Sequence, residues 1–242
     1  MSAVESVVTA AGDRVVFDRH GAAGAPAALF IAGAGPTRAD DPVTTATARL
    51  LAERGFQALV HDRVGRGESV AAGRIPLERE LDAIAALAET AGGPVVLVGH
   101  SSGCAIAMLA ASRVERLAGL ALWEAPLGQF ADGAPAWWAE VERHLEAGEL
   151  EQSPDYPGLV QSWVPDGTAL AEVEAAGAAA SLGALEVPVL AVVGTETFPG
   201  MASAADAIAA AAPRGASEEL AGAWHSWEPE AMAARLAVML EA

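Results

Sequence analysis

Apolar and polar positions alternate over 5–10 and again over 14–19, with Ala11-Gly12 between them. A period of two on either side of a glycine predicts a hairpin of half-buried strands. Further along, the runs 27–31, 95–98, 117–123 and 187–193 are apolar throughout. Short runs without alternation predict strands covered on both faces, as in a parallel sheet. Shorter strands are expected over 56–61 and 217–220. Helices are expected over 44–54, 77–90, about 102–113, 203–211 and 229–240. Asp40 or Asp41 can cap the first of these, Gly55 ends it, and Gly92-Gly93 stops the second. Strands that alternate with helices of ten to fifteen residues imply crossover connections, so the chain reads as α/β with a mainly parallel central sheet and helices on both faces.

The rhythm stops between 126 and 183. Glu140, Glu142, Arg143 and His144 suggest one amphipathic helix and 168–180 a second, with Pro154, Pro157 and Pro165 punctuating the stretch. Five aromatic residues fall here: Phe130, Trp137, Trp138, Tyr156 and Trp163. The segment reads as a short helical insertion at the sheet's edge. It divides a single domain whose core is 1–125 and 184–242.

Composition narrows the possible partners. The 242 residues carry 14 Arg, no Lys and 32 Asp plus Glu, for a formal charge of -18. So acidic a chain lacks the basic face that nucleic acid or an anionic membrane surface requires. The single cysteine, Cys104, excludes an internal disulfide. Alanine is about a quarter of the chain, well above ordinary usage, and it blurs the helical periods. The stretch 90–112 is uncharged and long enough to cross a bilayer, but Pro94, Gly99, His100, Ser101, Ser102 and Gly103 interrupt it. A buried strand, a tight turn and a buried helix account for it better. The N-terminal twenty residues lack a basic segment followed by an apolar core, so cytoplasmic residence is expected. No metal-ligand spacing and no dinucleotide fingerprint occurs, so neither a metal nor a cofactor is expected.

Gly99-His100-Ser101-Ser102-Gly103 fits G-x-S-x-G between an apolar strand and a predicted helix. A nucleophile at the apex of a strained strand-to-helix turn leaves no room for bulky residues two positions away. The turn exposes the Ser101 hydroxyl and brings the next backbone N–H to a helix N-terminus, where a developing oxyanion is stabilised.

With this elbow in place, nearly the whole chain resembles the α/β-hydrolase superfamily. Within it, the chain is similar to a group of small hydrolase-like proteins with an aromatic-Glu-x-Pro segment, here Trp123-Glu124-Ala125-Pro126. The resemblance implies an α/β-hydrolase fold in which the insertion is a cap. It implies an oxyanion hole built from the backbone N–H groups of Ala34 and Ser102, although Ala32 replaces the histidine that often precedes the first loop glycine. The loop Asp62-Arg63-Val64-Gly65-Arg66-Gly67-Glu68-Ser69 looks like the family's structural D-x-x-G-x-G-x-S loop. The family's chain order makes His225 the base, ahead of His20, His61, His100 and His144. The family's usual acid, three residues beyond a glycine after the 187–193 strand, is here Thr197, which cannot carry a negative charge. Glu124 and Glu196 are the two substitutes. Glu124 is preferred, because it follows a buried strand, where an unpartnered carboxylate would be costly. A structural anchoring role for Glu124 is the competing reading.

The resemblance implies a serine hydrolase acting on a small ester, thioester or lactone with an apolar portion. Trp123, Trp137, Trp138 and Trp163 are the expected pocket residues. Cys104 reads as a small buried residue. Related dehalogenases and epoxide hydrolases carry aspartate where Ser101 stands. A non-hydrolytic protein that binds or shapes a hydrophobic metabolite is the alternative, motivated by Thr197.

Overall fold

The sequence builds a nine-stranded sheet whose strands run in the spatial order β1-β2-β4-β3-β5-β6-β7-β8-β9, in a computed structural model that describes residues 2–71, 73–128, 143–144, 146–149 and 160–242. The strands are β1 (Ser2–Val8), β2 (Arg14–His20), β3 (Ala27–Ile31), β4 (Gln57–His61), β5 (Val95–His100), β6 (Leu117–Trp123), β7 (Val189–Glu196), β8 (Gly215–Ala223) and β9 (Ser226–Trp227). The five pairings from β4–β3 to β7–β8 are parallel. The hairpin β1–β2, its join to β4 and the short β9 are antiparallel.

The helices are α1 (Pro42–Glu53), α2 (Leu77–Ala91), α3 (Gly103–Ala110), α4 (Val164–Ala176), α5 (Ala178–Leu182), α6 (Met201–Ala211) and α7 (Pro229–Leu240). The expected caps are present: Asp41 accepts from the Thr44 N–H at 2.9 Å, and Gly92 closes α2 in the left-handed conformation.

The uninterrupted apolar strands have two covered faces. Leu29 and Leu97 point into a core shared with α2, α3, α4 and α6, whereas Phe30, Val96 and Val98 point into one shared with α1 and α7. Each fully buried large side chain in these layers contributes about 1.5–3 kcal/mol of transfer free energy. The uncharged stretch 90–112 is the end of α2, then β5 and α3, and no helix among the described residues is long and apolar enough to cross a membrane.

Two expectations need correction. The insertion does not leave from a lateral edge of the sheet. It lies between β6 and β7, which are paired inner strands, and Ala169, Leu170 and Val173 of α4 enter the main core. The helix expected over 168–180 begins earlier, at Val164, and breaks at Gly177. Pro165 does not end a helix here, because in the first turn its missing N–H has no intrahelical acceptor to lose. Most of the helix expected around Glu140 and Glu142 lies outside the described residues.

Candidate active site

Parallel strands β5, β6 and β7 end on the same side of the sheet, where a doubly covered α/β fold concentrates its chemistry. Ser101 follows β5, and Glu124 follows β6 in matching register, since His100 pairs with Trp123. The Ser101 N–H donates to the Trp123 carbonyl at 2.9 Å, and the Glu124 N–H donates to Val192 at 2.8 Å. Backbone bonds therefore fix the points from which both side chains project. The elbow needs its glycines: a Cβ on Gly99 would stand 2.6 Å from the Cys104 Cα, and one on Gly103 would stand 2.3 Å from the Ile31 carbonyl oxygen.

Among the described residues, Ser101 (φ 55°), Glu124 (φ 47°), Trp224 (φ 53°) and His225 (φ 70°) are the non-glycine residues with positive φ. That conformation costs on the order of 1–2 kcal/mol for a side-chain-bearing residue. It is confined to the two strand ends and to the turn that carries the histidine.

His225 Nδ1 lies 2.5 Å from Glu124 Oε2, and the other carboxylate oxygen accepts the Gly194 N–H at 3.0 Å. Glu124 is 1% exposed. Burial by itself would raise its carboxyl, but the hydrogen bonds from His225 and Gly194, with the Thr197 hydroxyl nearby, outweigh it and hold the group below its ordinary value. Because a carboxylate only accepts, His225 Nδ1 carries a proton, so in the neutral ring the lone pair lies on Nε2. Glu196, the other candidate, is exposed at the end of β7, and its carbonyl, not its carboxylate, meets the histidine turn through the Trp224 N–H at 3.2 Å. Thr197, at the position where an acid is usual, has a buried hydroxyl near Glu124 that forms no hydrogen bond among the described residues.

The histidine turn is braced from two sides. His100 Nε2 lies 2.8 Å from the His225 carbonyl. A carbonyl can only accept, so the His100 proton is on Nε2, and burial together with the neighbouring His225 holds that imidazole below its ordinary value. Trp227 donates its Nε1–H to Thr47 Oγ1 at 2.9 Å, tying β9 to α1. The Phe198 ring packs edge-on to His225 with centroids 5.8 Å apart. Neither His100 nor Phe198 stood out in the sequence as a partner of His225.

Ser102, one of the two expected oxyanion donors, directly follows Ser101, and Ala34, the other, directly follows Gly33. Gly33 sits against Ser101, where an added Cβ would come 2.7 Å from the serine Cβ.

The expected pocket residues fare differently. Trp123 is corrected to a core residue: it is fully buried, and its ring packs against Trp227 with centroids 5.6 Å apart, so it cannot face a solvent-filled pocket. Trp163 is half-buried in the turn before α4. Trp137 and Trp138, like Phe130 and Tyr156, lie outside the described residues. A cavity of about 10 Å³ among Phe30, His61, His100 and Trp227 holds a water at most and is no substrate site. Cys104 is fully buried, with burial pushing its thiol well above the ordinary value. Iodoacetamide should therefore leave it unmodified in the native protein and alkylate it fully in denaturant, as read by intact mass.

A doubly covered, mainly parallel sheet with a serine elbow, a histidine turn after the penultimate strand and a carboxylate between them defines an α/β-hydrolase fold. The chain belongs to the alpha/beta hydrolase family, whose model matches residues 15–237. An alpha/beta hydrolase from Sphaerobacter thermophilus superposes with a TM-score of 0.73 at 24% identity, covering 97% of this chain and 99% of that one. A thermophilic esterase from Thermogutta terrifontis gives 0.64 at 22%, covering 99% and 96%. A haloalkane dehalogenase variant from Bradyrhizobium elkanii gives 0.67 at 19%, covering 100% and 97%. At these identities the likeness is one of fold. No curated protein matches the sequence.

Proposed function

We propose that the protein is a serine hydrolase that cleaves an ester, thioester or lactone with an apolar portion. Ser101 Oγ attacks the carbonyl carbon while His225 Nε2 takes its proton, and the carbonyl oxygen becomes an oxyanion between the N–H groups of Ala34 and Ser102. His225 then returns the proton to the leaving oxygen or sulfur, giving an acyl-serine. Water, deprotonated by the same nitrogen, releases the acid and restores Ser101. Glu124 holds the imidazole in the required tautomer and balances its charge when it is protonated.

The observation that carries this reading is the 2.5 Å contact between His225 Nδ1 and Glu124, on a carboxylate buried at the strand end beside the elbow. Serine rather than aspartate at the elbow favours acyl transfer over the chemistry named for the dehalogenase relative. The half-exposed Phe198 against His225 and the exposed Trp224 beside it supply apolar surface at the site, which supports a substrate with an apolar portion.

A fluorophosphonate probe at neutral pH is expected to add once to the protein, on Ser101 by peptide mapping, and not at all to Ser101→Ala. An unmodified wild-type protein would instead favour a pocket that binds a hydrophobic metabolite without covalent chemistry. A series of p-nitrophenyl esters of rising chain length then reads the acyl preference.

A further inference from the structure

Beneath the elbow lies a set of buried charges that the reaction above does not use. Arg63, Arg66, Glu80 and Asp166 are each at most 1% exposed. Asp166 stands in the first turn of α4, within the insertion, where the helix N-terminus favours a carboxylate. Its Oδ1 accepts from Arg63 Nη1 at 2.6 Å and from the Ser102 hydroxyl at 2.6 Å, and its Oδ2 accepts from Arg66 Nη2 at 2.8 Å. Arg63 also donates to Glu80 at 3.2 Å, and Arg66 donates to the hydroxyl and carbonyl of Ser162 at 3.2 and 3.1 Å.

Both guanidinium groups reach the loop that carries the first oxyanion donor. Arg66 Nη1 donates to the Gly33 carbonyl at 2.5 Å, and Arg63 Nη1 donates to the Ala32 carbonyl at 3.1 Å. The Gly33 carbonyl and the Ala34 N–H belong to one peptide unit. In a trans peptide they point in opposite directions, so a charged donor on the carbonyl fixes the direction of the N–H and polarises it. The second donor, the Ser102 N–H, belongs to the residue whose hydroxyl is bonded to the same aspartate.

We propose that Asp166 is a positioning residue that sets the spacing of the two oxyanion amides, through Arg66 and Arg63 on the Ala34 side and through the Ser102 hydroxyl on the other. The inference rests on the serine-hydrolase reading. It assigns the helix α4 a part in the chemistry: its docking completes the oxyanion hole. Arg63 and Arg66, which the sequence presents as members of a structural loop, are the connectors.

The test compares wild type, Ser102→Ala and Asp166→Asn. Ser102→Ala removes one hydrogen bond and leaves the ion pairs and the Ser102 amide in place, so it remains informative if Asp166→Asn fails to fold. The readouts are kcat and KM on a p-nitrophenyl ester and the inhibition constant of an alkyl trifluoromethyl ketone, whose hemiketal oxyanion occupies the hole. Ser102→Ala is expected to lower kcat about 10-fold and Asp166→Asn about 100-fold, each with KM within about twofold and with the ketone weakened by a matching factor. Unchanged kcat and ketone affinity in Ser102→Ala, with only a lower Tm, would overturn the proposal and leave the serine-hydrolase reading intact. Failure of the wild type to take the fluorophosphonate on Ser101 would instead remove that reading, and this inference with it.

Discussion

Glu124→Gln is expected to lower kcat about 10³- to 10⁴-fold, with Glu196→Gln within about twofold of wild type. The size of the effect follows from the hydrogen bonds. Gly194 donates its N–H to Glu124 Oε1, so a glutamine must turn its oxygen toward Gly194 and its NH₂ toward His225. An NH₂ group facing Nδ1 forces that nitrogen to accept, which moves the imidazole proton to Nε2 and removes the lone pair that Ser101 needs. The negative charge that would stabilise the imidazolium is lost as well. Steady-state kinetics on one ester, with far-ultraviolet circular dichroism to confirm folding, decide the matter. A large loss in Glu196→Gln with little in Glu124→Gln would remove Glu124 from the mechanism.

The same variant should change the response of stability to acid. The Glu124 carboxyl is held below its ordinary value in the folded protein. Its contribution is therefore fully present above the ordinary carboxylate range and is lost as the pH falls through the lowered folded value. Tm measured against pH should fall less steeply on the acid side in Glu124→Gln than in wild type.

Gly33→Ala is expected to lower kcat/KM about 100-fold while the protein stays folded. The added methyl would sit 2.7 Å from the Ser101 Cβ and 3.0 Å from the His100 carbonyl oxygen. Neither neighbour can yield easily: Ser101 is held at positive φ by the elbow, and its N–H is bonded to Trp123. The glycine loop must move instead, and it carries the Ala34 amide. The fall should appear in the rate of fluorophosphonate addition as well as in turnover, since the ester's carbonyl oxygen and the probe's phosphoryl oxygen gain negative charge in the same proposed hole. Equal rates in Gly33→Ala and wild type would show that Ala34 is not an oxyanion donor.

Much of the architecture was legible because burial patterns are local. The apolar strands 27–31, 95–98 and 117–123 announced a sheet covered on both faces, and glycines 55 and 92 marked helix ends through backbone freedom alone. The insertion was read less well. Pro165 suggested a break and instead occupies the first turn of α4, a distinction that depends on where the preceding chain enters. Trp123 looked like pocket surface because aromatics often line pockets. Its place on β6 turns the ring to the face shared with Trp227, and which face a strand residue takes depends on the register of the assembled sheet.

The site divides in the same way. Pattern and chain order singled out Ser101, His225 and a choice of two acids, because an elbow is a local motif with local steric demands. The choice between Glu124 and Glu196 depends on which carboxylate lies behind the histidine, separated from it by 101 positions in one case and by a strand pairing in the other. Asp166 had no local signal at all: one aspartate among 32 carboxylates becomes distinctive only when two arginines 100 and 103 positions away are folded onto it. By itself the sequence determined the layered α/β architecture and the serine elbow, since periodicity and small-residue spacing act through neighbouring residues. Only the tertiary structure decided which acid meets the histidine and which charges lie beneath the serine, because a buried carboxylate is stabilised by partners brought to it from distant parts of the chain.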